Sequence, residues 1–208
     1  VKKIIITGGL GYIGTELCKI YSGYSWHHKI VVIDNRFVSE RVNQIRNWNM
    51  EFIHGDILDK ELVNKYFKNA DIVHHLAGIT EVPRTKSESS SEKNEKIKSV
   101  GEKGTQNILE AINDHCKIIF PSTHVVYEGI DKVKKDIGED EETKPILSYS
   151  SSKAVNEKQL KDSGKNYVIL RLGSVYGYST DTARIDIMPN LFSKIASQNG
   201  TLRLFAGG

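Results

Sequence analysis

Near the start of the chain, Thr7-Gly8-Gly9-Leu10-Gly11-Tyr12-Ile13-Gly14 follows the apolar run Ile4-Ile5-Ile6 with nothing between. Glycines at 8, 11 and 14 make a Gly-x-x-Gly-x-x-Gly turn. A Cβ at either of the first two positions would obstruct the bend or a ligand, and one at the third would push a following helix off the strand behind it. The turn lies between a strand-like run and a helix-like run over Gly11–Ser22, so its amides stand at a helix N-terminus, where the macrodipole favours phosphate. A glycine turn alone is equally the mark of a plain tight connection. The next apolar run, Lys29-Ile30-Val31-Val32-Ile33, ends in Asp34, roughly 20 positions beyond Gly14, where an acid holds a ribose 2′-hydroxyl and repels a 2′-phosphate. The residues therefore read as a dinucleotide site comprising Gly8, Gly11, Tyr12, Ile13, Gly14, Asp34 and Asn35, with NAD favoured over NADP. Arg36 is the neighbour that argues the other way.

Short apolar runs alternate with amphipathic segments along most of the 208 residues, the pattern of repeated strand–helix–strand units and a parallel sheet. Strands are expected at Lys2–Thr7, Lys29–Asp34, Met50–His54, Ile72–Leu76, Lys117–Pro121 and Tyr167–Leu172, and helices at Gly11–Ser22, Asp59–Phe67, Lys93–Asn113 and Tyr149–Ser163. The fold class is α/β, a Rossmann-type doubly wound parallel sheet, with the strand of the glycine turn expected beside the one that ends at Thr123. The 29 basic and 26 acidic residues are interspersed, which gives no basic face for nucleic acid. No apolar run reaches membrane-spanning length and no signal-peptide pattern opens the chain, so a cytoplasmic protein is expected. Cys18 and Cys116 lie in apolar surroundings without metal-ligand spacing and read as buried thiols. The pairs His27-His28 and His74-His75 are adjacent in sequence; neighbours in a strand point to opposite faces, so no metal is expected there.

Further along, Gly55-Asp56-Ile57-Leu58-Asp59 follows the third strand and can cap the next helix through Asp56 or Asp59; alternatively Asp56 accepts the adenine amino group, with Ile57 packing on the ring. His75-Leu76-Ala77-Gly78 ends the fourth strand beside the glycine turn. Leu76, Ala77 and Gly78 are read as a cofactor wall and His75 as a packing residue. The polar run Arg84–Lys98 is either a solvated loop leading into a helix or an edge of the active site. After Ser122-Thr123 and a polar excursion comes Tyr149-Ser150-Ser151-Ser152-Lys153. An i, i+4 spacing on a helix places Tyr and Lys on one face, where an ammonium favours phenolate and lowers the Tyr pKa from about 10.

In ordered motifs along its whole length the chain resembles an extended short-chain dehydrogenase/reductase of the NAD-dependent epimerase/dehydratase family, the group of UDP-galactose 4-epimerase. The motifs are the glycine turn, Asp34, Gly55-Asp56-Ile57, His75–Gly78, Gly104-Thr105-Gln106-Asn107-Ile108-Leu109-Glu110-Ala111, Ser122–Tyr127, Tyr149–Lys153 and Arg171-Leu172-Gly173-Ser174-Val175-Tyr176-Gly177. The resemblance implies that Tyr149 is the general acid/base, that Lys153 lowers its pKa and holds the nicotinamide ribose, and that Thr123 hydrogen-bonds the reacting oxygen. It also implies a nucleotide-sugar substrate, with Thr80, His124 and Ser174 as further substrate contacts, and a homodimer. Residues 1–173 would form the NAD-binding domain and 174–208 the beginning of a smaller substrate-binding lobe, continued in a longer protein. Gly200–Gly208 would be the strand and turn that lead into it.

The chain departs from the family pattern at several points. Dehydratases carry an Asp-Glu pair after the Thr where His124 and Val125 stand here, and Gly101 and Ser174 replace frequent asparagines. A nucleotide-sugar 4-epimerase is therefore the expected function. A reductase or dehydrogenase, a 4,6-dehydratase and a non-catalytic dinucleotide sensor are the alternatives.

Overall fold

A computed structural model describes residues 1–79, 90–179 and 184–203. Six strands, β1 (Lys3–Thr7), β2 (Lys29–Asp34), β3 (Glu51–His54), β4 (Ile72–His75), β5 (Lys117–Thr123) and β6 (Asn166–Leu172), form one parallel sheet in the order β3-β2-β1-β4-β5-β6. The helices are α1 (Tyr12–Ser22), α2 (Ser39–Asn47), α3 (Lys60–Phe67), α4 (Ser91–Lys98), α5 (Gly104–Ala111), α6 (Ser148–Asp162) and α7 (Met188–Ser197). None of them is long and apolar enough to cross a membrane among the described residues.

The central strands are apolar at nearly every position because both faces are covered. Ile5, Val31, Ile33, Val73, Ile118 and Phe120 point to one side, where α3, α5 and α6 supply Val63, Phe67, Ile108, Leu109 and Leu160. Ile4, Ile6, Ile30 and Val32 point to the other, against Cys18 of α1 and Val42 and Ile45 of α2. Cys18 and Cys116 are both fully buried within these two cores.

Strand order reverses between β1 and β4, and in open sheets of this kind ligands bind at the carboxyl ends beside that switch point. The neighbour of β1 on this side is β4, with Thr7 opposite His75, and β4 in turn pairs with β5. The sequence-based expectation that β1 adjoins the strand of Thr123 is thus corrected. His74-His75 stands between them, because the chain crosses from β3 to the far side of β1 before it enters β4.

Two helices were not anticipated. Within α2 only Val42 and Ile45 are buried, too short an apolar stripe to read from periodicity. In α7 no residue is buried, although Pro189 at its start is a recognised helix-opening signal. The single helix expected over Lys93–Asn113 is present as one continuous helical run, α4 and α5 with a π-helical stretch at Ser99–Lys103 between them. At the other end Thr201–Arg203 is irregular instead of a strand, and the rest of the expected strand and turn, residues 204–208, lies outside the described residues.

Phe67, fully buried between helix and sheet, contrasts with Ile20, 65% exposed on α1. In urea unfolding, Phe67→Ala should cost about 3–5 kcal/mol, and Ile20→Ala should stay within about 0.5 kcal/mol of wild type.

Candidate active site

The glycine turn is backbone packed on backbone. Gly8 has φ +66°, in the left-handed region, and its N–H donates to the Ile33 carbonyl at 2.8 Å. A Cβ there would stand 2.8 Å from the Ala77 nitrogen, and one on Gly14 would stand 2.2 Å from the Gly8 carbonyl oxygen. Gly11 is the N-cap of α1 and offers no side chain to the first helical amides, and no acidic residue lies in that first turn. Uncapped amides, a positive helix end and a cradle that side chains would fill all suit a pyrophosphate. Tyr12 anchors the turn from outside: its hydroxyl donates to the Gly177 carbonyl, and Asn190 of α7 bonds both the Tyr12 hydroxyl (3.3 Å) and the Gly177 N–H (2.9 Å). Ile13, the next residue, is 37% exposed.

Asp34 ends β2 almost fully buried. Its Oδ2 accepts from Leu10 N–H at 2.9 Å and its Oδ1 from the Arg36 N–H and Nε at 3.0 and 3.4 Å. The carboxylate thus supports the glycine turn itself and still has lone-pair capacity for another donor. Asn35 donates to Asp56 Oδ2 at 3.0 Å, while Asp56 Oδ1 accepts from Leu58 N–H at 2.9 Å. Asp56 therefore closes a local turn and faces Asn35, while the cap of α3 is Asp59, whose Oδ1 accepts from Glu61 N–H at 3.1 Å and Leu62 N–H at 3.0 Å. Ile57 packs inward. Its side chain is 4% exposed and lies in the core, where a Cβ on Gly104 would meet its Cδ1 at 2.4 Å.

Beyond β4, Ala77 N–H donates to Thr7 Oγ1 at 3.0 Å, and Gly78 has open space where a side chain would go. His75 is fully enclosed: Nδ1 lies 3.1 Å from Thr7 Oγ1 and Nε2 lies 2.9 Å from Thr105 Oγ1. Burial, aided by the charge on Lys153, pushes its pKa down to about 3, so His75 is a neutral bridge between β1, β4 and α5.

Tyr149 and Lys153 lie one turn apart on α6 and line the same cleft as Leu76, Ala77, Gly78 and Phe120. The Lys153 ammonium donates to the Pro121 carbonyl at 2.8 Å and sits 4.3 Å from the Phe120 ring centroid, against 5.9 Å from that of Tyr149. Burial lowers its pKa to about 8, with Glu157 opposing. The Tyr149 phenol is shifted upward by burial, opposed by Arg184. This is opposite to the direction expected from the Tyr-x-x-x-Lys spacing alone, because burial of the phenol outweighs the opposing charge of Arg184. Thr123 closes β5, 7% exposed, with Oγ1 accepting from Val125 N–H at 3.3 Å; it is not among the residues lining the cleft.

Residues 4–208 match the sequence profile of the NAD dependent epimerase/dehydratase family. The chain belongs to this family. It is 31% identical over 198 residues to a dTDP-D-glucose 4,6-dehydratase of Dictyostelium discoideum, covering 85% of this chain and 44% of that one. A CDP-paratose 2-epimerase of Salmonella typhi is 32% identical over 205 residues, covering 84% and 58%. Among solved structures, a UDP-glucuronic acid 4-epimerase variant from Bacillus cereus, in complex with a UDP-4-deoxy-4-fluoro-glucuronic acid and NAD, superposes with a TM-score of 0.80 at 26% identity. That likeness covers 99% of this chain and 66% of the other. The chain spans about half the length of these curated relatives.

Within this epimerase/dehydratase frame the departures acquire locations. At Gly101, in the π turn, a Cβ would meet Ser152 Oγ at 2.4 Å, and the carbonyl accepts from Asn156 Nδ2 at 3.1 Å. The asparagine frequent in the family would require the Ser152 hydroxyl to turn away. His124 is exposed and its Nδ1 bonds the Leu172 carbonyl at 3.1 Å. Ser174 is exposed, and Thr80 lies outside the described residues.

The sequence reading overlooked Glu157, one turn beyond Lys153. Buried at 2% exposure, it accepts from Ser122 Oγ at 2.6 Å and from Arg171 Nη2 at 2.6 Å, tying α6 to β5 and β6 directly beneath Thr123. The i, i+4 spacing from Lys153 and the opposite charge of Arg171 were the available signals.

A lysine whose pKa is about 8 in the fold and 10.5 outside it binds fewer protons folded than unfolded between those values, so stability rises with pH across that window. In cofactor-free protein Lys153→Met should be more stable than wild type below pH 8, by on the order of 1–3 kcal/mol, and should lose that advantage by pH 10.5. Urea titration at a series of pH values checks the sign.

Proposed function

We propose that the chain carries the cofactor-binding and acid/base part of an NAD-dependent nucleotide-sugar epimerase acting at sugar carbon 4. The observation that carries this reading is the cleft itself. Tyr149 and Lys153 face it together, while the segment after Thr123 holds a valine, which moves no proton, and a histidine whose Nδ1 is engaged by the Leu172 carbonyl. A dehydratase needs a second acid/base pair to remove water, and with Val125 at one of the two positions this segment offers no such pair.

In this reading the first-turn amides of α1, with Gly8, Gly11, Tyr12, Ile13 and Gly14, hold the pyrophosphate of NAD. Asp34 and Asn35 hold the adenosine ribose, and Asp56 and the Ile57 backbone border the adenine. Leu76–Gly78, Tyr149 and Lys153 flank the nicotinamide end. NAD supplies reversible two-electron oxidation of the sugar carbinol. Tyr149 removes the proton from the 4-hydroxyl and returns it after the sugar has presented its other face. Lys153 holds positive charge beside the phenol and favours its ionised form. Thr123 orients the reacting oxygen from the end of β5, a role that requires its hydroxyl to turn from Val125 towards the cleft. Residues 174–208 begin the substrate lobe, joined to the glycine turn through Tyr12 and Gly177, and the active protein is a homodimer.

Tyr149→Phe should lower turnover roughly 100-fold or more, the scale of lost general acid/base catalysis, and leave NAD affinity within about threefold. Full activity in that variant would sink the mechanism. Incubating the protein with UDP-, GDP-, CDP- and dTDP-sugars, without added reduced cofactor, should interconvert epimers. Turnover only with added NADH would instead mark a reductase.

A further inference from the structure

Thr123 and Tyr149 are separated in sequence by a long polar excursion, yet its two ends are joined at the base. Gly129 N–H donates to the Lys144 carbonyl at 2.8 Å, and Lys144 N–H to the Val126 carbonyl at 2.8 Å. Glycine is required at 129, since a Cβ would stand 2.5 Å from the Lys144 oxygen.

Over this junction sits Glu128, at the end of the 3-10 turn His124–Tyr127 that follows Thr123. Its Oε1 accepts from Ile146 N–H at 2.7 Å, from Leu147 N–H at 2.7 Å and from the Ser150 hydroxyl. Leu147 is the N-cap of α6, and no side chain at that position caps the helix. A carboxylate reaching across from beyond β5 therefore holds the entry to α6: it accepts from the N-cap N–H, as the Glu of a capping box does, and places negative charge where a helix N-terminus favours it. Ser150, which it grips, is 1% exposed and directly follows Tyr149. Glu128 does not line the cleft, so it acts through what it holds.

We propose that Glu128 is a positioning residue for Tyr149: its carboxylate fastens the first turn of α6 to the end of β5 and so sets where the phenol stands relative to Thr123. This rests on the reading of Tyr149 as acid/base, but the placement of the phenol is measurable without turnover. The hydrogen-bond geometry favours positioning over a general contribution to stability. All three donors come from the turn that carries Tyr149 or from the residues leading into it, and the acceptor belongs to the segment that carries Thr123.

The test follows Tyr149 by carbon-13 tyrosine NMR titration in the cofactor-free chain, alongside kinetics. In wild type the phenol should titrate above about 10, the free value. Glu128→Ala should bring it back towards that value as the first turn loosens, and Glu128→Gln, which keeps an acceptor oxygen, should restore it. Glu128→Asp keeps the charge but is one methylene too short, and should behave like Ala. Turnover should fall about tenfold or more in Ala and Asp, the scale of a misplaced catalytic group, with KM and NAD affinity within about threefold and recovery in Gln. Amide protection at Ile5 in β1 should stay unchanged in any variant that folds; if Ala fails to fold, Asp and Gln carry the comparison. The proposal is overturned if Tyr149 titrates alike in wild type and in the Asp variant, or if turnover and NAD affinity fall together without rescue by Gln. A wild-type protein that interconverts no sugar would defeat the epimerase reading alone, leaving the NMR comparison to decide the positioning.

Discussion

The carboxyl end of the sheet depends on one close approach: the start of α1 lies on the backbone of Gly8 and Gly9, and Gly8 lies on the backbone of Ala77, at separations that admit no Cβ. Because these neighbours are main chain, they cannot rotate away as a flexible side chain could. The contact fixes the angle at which α1 leaves β1 and brings the loop after β4 against it. It leaves the first helical amides facing outward without a side-chain cap. Asp34 strengthens the arrangement from β2 by accepting from Leu10, so the acid that marks the dinucleotide motif is also part of the turn's own support.

Away from the glycines, buried polar groups do the aligning. Thr7, His75 and Thr105 form one hydrogen-bonded chain through β1, β4 and α5, and Ser122, Glu157 and Arg171 form another through β5, α6 and β6. A buried donor or acceptor left unpaired costs about 1–3 kcal/mol, so each network is stable in few arrangements other than the one seen. Such groups contribute specificity of alignment more than net stability. They lie beside or beneath the cleft residues, where sub-ångström placement matters.

Much of the fold was readable from residues because its signals are local. The apolar runs of β1, β2 and β4 and the glycine turn identify themselves within a few positions, and Tyr149 and Lys153 do so through helical spacing. Strand order is not local, which is why the strand of Thr123 was expected to adjoin the glycine turn although β4, rightly expected beside that turn, separates the two. The packing of Ile57 is likewise beyond local sequence: its side chain reaches the core because Gly104, far along the chain, leaves space for it. The direction of the Tyr149 pKa shift reverses because spacing reports a nearby cation and does not report burial. Glu128 gives no local sign at all, since its partners lie across the excursion.

That excursion has a consequence of its own. Its base is sealed by the Gly129–Lys144 and Lys144–Val126 hydrogen bonds, and its far part is pinned back on the fold, the Gly138 carbonyl accepting from the Tyr127 hydroxyl at 3.3 Å and the Glu139 carbonyl from Arg171 Nη1 at 3.0 Å. Closing a longer loop on a sealed base is cheap, about 0.6 kcal/mol per doubling. Length is therefore free to vary between the sealed base and the Gly138-Glu139 anchor, while the anchor itself couples the excursion to the Glu157–Arg171 pair.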